Sequence, residues 1–71
     1  MSPTKLRVLR ARYHVSQADL ATVLGKHQSR ISNIEQGRAR MSKEEAKVIV
    51  QYFAALRQAK RGQLQEVMSH E

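Results

Sequence analysis

Apolar residues recur along this chain at spacings of three and four, and no long stretch alternates between apolar and polar. That period belongs to helices that each bury one face, whereas a half-exposed strand would alternate in twos. Four segments carry the pattern. The first opens at Ser2-Pro3, where a proline without an N–H costs a helix little. It runs to about Tyr13, with Leu6, Leu9 and Tyr13 as its buried stripe and Lys5, Arg7 and Arg12 largely on the other side. The second starts at Ser16, whose side chain can accept from an orphan N–H, with Asp19 beside the positive end of the helix dipole. Leu20, Ala21 and Leu24 face inward, and Gly25 follows at once. The third begins near Gln28, turns Ile31 and Ile34 inward, and stops at Gly37. The fourth opens at Ser42, with Glu45 at capping-box spacing, and shows Ala46, Ile49, Val50, Phe53 and Leu56 on one face.

Beyond Arg57 the pattern weakens. Gly62 is expected to interrupt the helix, and Leu64, Val67 and Met68 form a last short amphipathic turn or two. These residues either fold back on Phe53 and Leu56 or make a dimer contact. The expected architecture is all-α, a compact domain of four to five helices over residues 1–57, with residues 58–71 as a C-terminal extension. The only proline is Pro3, and no repeat or low-complexity segment is present.

Length and charge narrow the function. A chain of 71 residues makes one domain, and one of this size buries only about 60% of its unfolded surface. It has no cysteine, so disulfides and thiolate metal sites are excluded. His14, His27 and His70 lack metal-ligand spacing, so no metal and no cofactor are expected. No cysteine nucleophile, clustered carboxylate pair or glycine-rich phosphate loop supports catalysis. Thirteen Lys and Arg against six Asp and Glu give a net charge of +7. Such a bias favours a polyanion: DNA, RNA or an anionic membrane surface. No apolar run approaches a membrane span, and no signal-peptide core stands at the N-terminus. The expectation is a cytoplasmic protein without a membrane partner.

The second and third segments supply the chemistry. Two short helices joined at Gly25-Lys26-His27, with the small Ala21 permitting close approach, form a helix-turn-helix pattern. The third helix then presents Gln28, Ser29, Ser32, Asn33 and Gln36 outward. Gln and Asn amides can each pair bidentately with adenine in a major groove wide enough for a helix. Arg38 and Arg40, just past Gly37, would lie beside the phosphates.

The chain resembles the Cro/repressor type of helix-turn-helix protein, the XRE family. The resemblance rests on Leu6-Arg7…Leu9-Arg10, on Ser16-Gln17…Leu20-Ala21…Leu24-Gly25 and on Gln28-Ser29…Ile31-Ser32…Ile34-Glu35-Gln36-Gly37. It spans residues 4 to about 56. It implies a lambda-repressor-like DNA-binding domain docked as such proteins dock, with the third helix in the major groove. It further implies that Gln28, Ser29 and Asn33 reach base edges, and that Ser32 contacts base or phosphate. Gln17, Arg38 and Arg40 would meet phosphates, and Arg10 and Glu35 would form an internal salt bridge. Lys26 stands where the family prefers an aliphatic residue, and its ammonium would reach solvent or a phosphate. Arg30 lies off the base-reading face, with phosphate contact and plain solvation equally open. His27 replaces the usual Ser or Thr cap, which predicts a less well capped third helix. His14 stands where Gly is common and would need a left-handed backbone.

The functional expectation is a sequence-specific regulator, a dimeric repressor of phage or plasmid type in a bacterial cell. One recognition helix reads few base pairs, so a homodimer on a palindromic operator of double-stranded DNA is expected. Two alternatives keep the fold: an antitoxin whose last residues bind a toxin, and a restriction–modification controller. A competing regulator protein is a further expected partner. A third alternative is a protein-interaction module without DNA, against which the charge and the basic loop argue.

Overall fold

Serines set three of the four helix starts. A computed structural model describes the backbone of residues 1–69 and the side chains of residues 1–59. Ser2 caps α1 (Pro3–Tyr13), its Oγ accepting from the Lys5 N–H at 3.1 Å. Ser16 caps α2 (Gln17–Leu24) reciprocally: the Asp19 N–H donates to Ser16 Oγ at 2.9 Å, and the Ser16 N–H to Asp19 Oδ2 at 3.3 Å. Ser42 does the same ahead of α4 (Lys43–Ser69), accepting from the Glu45 N–H at 3.0 Å while its own N–H reaches Glu45 Oε1 at 2.9 Å. Each box satisfies orphan N–H groups that helix geometry leaves open.

The fourth start has a single capping bond where α2 and α4 have two, in keeping with a less well capped third helix. His27 caps α3 (Gln28–Glu35), because its Nδ1 accepts from the Ser29 N–H at 3.2 Å. An imidazole with a free nitrogen close to its own backbone serves as a cap much as a hydroxyl does.

The first three helices end alike. His14, Gly25 and Gly37 have φ of 57°, 66° and 77°. At each, the next N–H reaches back over the turn: Val15 to the Arg10 carbonyl at 2.9 Å, Lys26 to Ala21 at 2.9 Å and Arg38 to Asn33 at 2.8 Å. This is the Schellman closure, which consumes helix-end carbonyls and reverses the chain. His14 therefore adopts the left-handed backbone foreseen for it, at a steric cost glycine would not bear.

One residue from each helix meets at the centre. Leu6, Leu20, Ile31 and Ile49 are fully buried, with Val15, Ala21, Ile34 and Phe53 around them. Leu9, Tyr13, Leu24 and Leu56 pack on this cluster from its edge. The Tyr13 and Phe53 rings lie 5.7 Å apart, and Tyr52 meets Phe53 edge-on at 5.5 Å. Val15 is buried although no helical period marks it; it packs inward as the residue just past a left-handed cap. Val50, expected in the stripe of α4, is 54% exposed. It follows the buried Ile49 directly, and a single helical step carries it out of the inward face.

α2 packs on α3 and α4, and α1 packs on the same two helices. Gly62 does not interrupt the chain, for α4 is continuous to Ser69. A lone glycine costs a helix about 1 kcal/mol, too little to stop one already propagating. The side chains of Leu64, Val67 and Met68, for which two packings were open, lie outside the described residues.

His14→Gly is expected to stabilise the fold by about 1 kcal/mol, the cost of a non-glycine residue in the left-handed region. For a domain of this size that raises Tm by about 4–8 °C in a thermal melt. An unchanged or lower Tm would show that the histidine makes a compensating contact.

Candidate nucleic-acid interface

α3 is short, and its orientation is set by contacts on two flanks. Ile31, Ile34 and Glu35 form its inward stripe, at i, i+3 and i+4. The Glu35 side chain is only 4% exposed. Arg10 of α1 holds it with a two-pronged ion pair, Nη2 to Oε1 at 2.7 Å and Nε to Oε2. Arg10 Nη1 also donates to the Val15 carbonyl at 3.1 Å, tying the pair to the turn after α1. This is the internal salt bridge that the resemblance implied for these two residues. Burial alone would raise the Glu35 carboxyl. The bonds from Arg10 and Gln17, with the charges of Arg10 and Arg7, outweigh it and hold the group below the ordinary carboxylate range.

Gln17 adds a link that sequence reading missed. Its Nε2 donates to Glu35 Oε1 at 3.0 Å, and its Oε1 accepts from Gln28 Nε2 at 3.4 Å. A run of bonds thus passes from Arg10 through Glu35 and Gln17 to Gln28, the first residue of α3. Gln28 precedes Ile31 by one helical turn and so lies on the flank facing the start of α2. Gln17 was expected at a phosphate; its half-buried amide is engaged inside the protein.

The other predicted base-reading residues are distributed as follows. Gln28 and Ser29 are exposed, while Ser32 and Asn33 are half-buried. The Ser29 hydroxyl lies 2.9 Å from His27 Nδ1. Ser32 Oγ accepts from Gln36 Nε2 at 3.0 Å, one turn along the same face. The Asn33 carbonyl takes the N–H groups of Arg38 and Ala39 at 2.8 and 3.2 Å, so it anchors the following loop. The face of α3 formed by Gln28, Ser29, Ser32 and Asn33 is therefore uncharged, polar and continuous with residues 36–42.

The basic residues separate into two kinds. Arg38 and Arg40 are exposed, and among the described residues their guanidinium groups make no ion pair. Lys26 is exposed beside Leu24, Arg30 and Glu45. Arg30 is different. It forms a second two-pronged ion pair, Nε to Glu45 Oε2 at 3.1 Å and Nη2 to Oε1 at 2.7 Å, and Nη2 also donates to the Arg40 carbonyl at 2.9 Å. Glu45 is 8% exposed in its side chain. The bond from Arg30, helped by those from Ser42 and offset in part by burial, lowers its carboxyl from 4.5 to about 2. The partners are 15 positions apart, and no spacing rule finds them.

Two short helices at a tight glycine turn, an uncharged amide-rich face on the second and an exposed basic loop after it define a helix-turn-helix protein that binds DNA. Comparison with family models agrees: residues 4–64 match the helix-turn-helix domain, and the chain belongs to that family. No curated protein and no solved structure matches the chain significantly. The match is consistent with an XRE-like DNA-binding protein. No described helix is long and apolar enough to cross a membrane.

The lowered Glu45 carboxyl predicts an acid limb in stability. The unfolded chain binds the proton near 4.5, the folded one near 2, so the pair's contribution is complete above about pH 5. It is lost as pH falls through 4.5 toward 2. Glu45→Gln should therefore flatten the decline of Tm over that window. A Tm profile as steep as that of the parent would mean that the pair does not form in solution.

Proposed function

We propose that the chain is a homodimeric, sequence-specific transcriptional repressor that occupies a palindromic operator and blocks polymerase. The observation that carries this reading is the continuity of two surfaces. The uncharged face of α3 ends where the exposed Arg38 and Arg40 begin. In this reading Gln28, Ser29, Ser32 and Asn33 meet base edges, and Lys26, Arg38 and Arg40 meet phosphates. Gln28 enters with one amide proton held by Gln17, which leaves its second amide proton and its oxygen for a bidentate pair with adenine. A pre-bonded side chain loses less freedom on binding.

The dimer has its own support. α4 has 27 residues and so spans about 40 Å, twice the 19 Å breadth of the domain. Val50 and Val48 are exposed on it. A helix longer than the body it serves, with apolar residues outward, suits two-fold pairing beyond the DNA-reading unit. The proposed setting is the bacterial cytoplasm, where phage or plasmid regulators act.

Selection of bound duplexes from a random pool tests the reading. The expected result is an inverted repeat with half-site centres about 10 bp apart, bound by a species that sediments as a dimer. No enriched sequence, or a monomer on the enriched duplex, would reject it. On that operator, Gln28→Ala and Asn33→Ala should each relax preference at particular base pairs by about 1–3 kcal/mol. Arg40→Ala should weaken binding to all sequences and lower the salt slope by about one. Uniform weakening by all three variants would refute direct readout by α3.

A further inference from the structure

We propose that Arg30 and Glu45 are positioning residues for the phosphate-contacting loop, and that Arg30 serves DNA binding through the main chain of Arg40 and not by touching a phosphate itself. This rests on the DNA-binding reading above, which leaves the loop's own geometry unexplained.

Residues 36–42 carry no regular structure, yet they are tied down at the start, middle and end. At the start, Gly37 turns at φ 77°, and the Asn33 carbonyl takes the N–H groups of Arg38 and Ala39. In the middle, the Arg40 carbonyl accepts from Arg30 Nη2 at 2.9 Å. At the end, Glu45 Oε1 accepts from the Ser42 N–H at 2.9 Å. The side chains alternate between these ties: Ala39 and Met41 pack on the core, and Arg38 and Arg40 are exposed. Both outward guanidinium groups thus stand on a backbone already ordered in the free protein.

One cluster links the middle and end ties. Glu45 uses both oxygens, one on Arg30 Nε and the other shared by Arg30 Nη2 and the Ser42 N–H. The second Nη2 proton of Arg30 goes to Arg40. A planar fork can meet a carboxylate and a carbonyl at once; a lysine ammonium cannot reproduce that arrangement. The Glu45 side chain is almost wholly shielded, so its charge holds the Arg30 guanidinium in place.

The two roles for Arg30 predict opposite signs. If Arg30 contacted phosphate directly, Glu45 would compete with DNA for it. Glu45→Gln would then free the guanidinium, remove a negative charge and tighten binding. If Arg30 positions the loop, the same change loosens the Arg40 carbonyl and weakens binding despite the gain in positive charge.

The experiment measures binding of the full chain to a fluorescein-labelled mixed-sequence duplex across a salt series, since phosphate contacts do not depend on sequence. Circular dichroism at the assay temperature establishes that each variant is folded. Glu45→Gln is expected to bind about tenfold more weakly, the loss of one charge-assisted hydrogen bond, with a salt slope lower by about one, as for Arg40→Ala. In an Arg38→Ala/Arg40→Ala background the Glu45→Gln loss should vanish, which a general destabilisation would not do. Arg30→Lys keeps the charge and should still show the loss; it carries the test alone if Glu45→Gln does not fold. Equal or tighter binding by Glu45→Gln, persistence of its loss in the double background, or full binding by Arg30→Lys would each overturn the proposal. Parent protein without salt-dependent binding would instead overturn the DNA-binding reading beneath it.

Discussion

The buried carboxylate of Glu35 is the constraint on which the arrangement of the first three helices depends. A carboxylate with 4% exposure is costly unless its oxygens are bonded and its charge is matched. Here Arg10 supplies the charge and Gln17 a further bond, so α1 and α2 both converge on one group of α3. α2 and α3 have only eight residues each, too few to be stable as isolated helices. Their stability comes from packing, and their relative angle from groups that tolerate one geometry only. Ile31 and Ile34 provide burial, which is non-directional. The fork of Arg10 on Glu35 provides direction. Loss of either partner would leave the other shielded and unmatched, which is why such a pair fixes an arrangement even where its net stabilisation is small.

A second clamp acts on the other flank of the same helix. Arg30 binds Glu45 of α4, while Glu35 binds Arg10 of α1. The two pairs have opposite polarity: α3 contributes the carboxylate to one and the guanidinium to the other. Between them they leave a single face of α3 unattached, and that face is the uncharged one. A small domain has little apolar area with which to specify how a short helix is turned. Two directional pairs, on either side of an apolar stripe, supply that specification.

Much of the fold was legible because helix ends are local events. Ser2, Ser16 and Ser42 cap by bonds to residues three positions on, and Gly25 and Gly37 supply left-handed turns at the places their neighbours require. Inward stripes followed from periodicity. Val50 was misjudged because apolar neighbours in one run do not reveal which of them the partner helix covers. His27 caps α3 with one bond, since a ring nitrogen at the right reach can accept where a hydroxyl is usual. The Arg10–Glu35 pair was accessible only through family resemblance, and its extension through Gln17 to Gln28 depends on tertiary geometry. Arg30 was ambiguous for the same reason, since its partner lies on another helix.

This partition changes how the positive charge should be read. Counting every arginine near α3 as a phosphate ligand would include Arg30, whose guanidinium is paired with Glu45 and bonded to the Arg40 carbonyl, and would treat it as equivalent to Arg38 and Arg40. Each pair is neutral, so setting both aside leaves the net charge of +7 unchanged. That charge supplies long-range attraction to any polyanion, which is screened by salt and blind to sequence. The face of α3 formed by Gln28, Ser29, Ser32 and Asn33 carries no charge and so adds nothing to that attraction. In the proposed reading, affinity and discrimination fall to different groups, and the paired arginines serve neither directly. On that proposal their part is to hold the amides of α3 and the arginines of the loop on one continuous surface, to which charge would bring DNA.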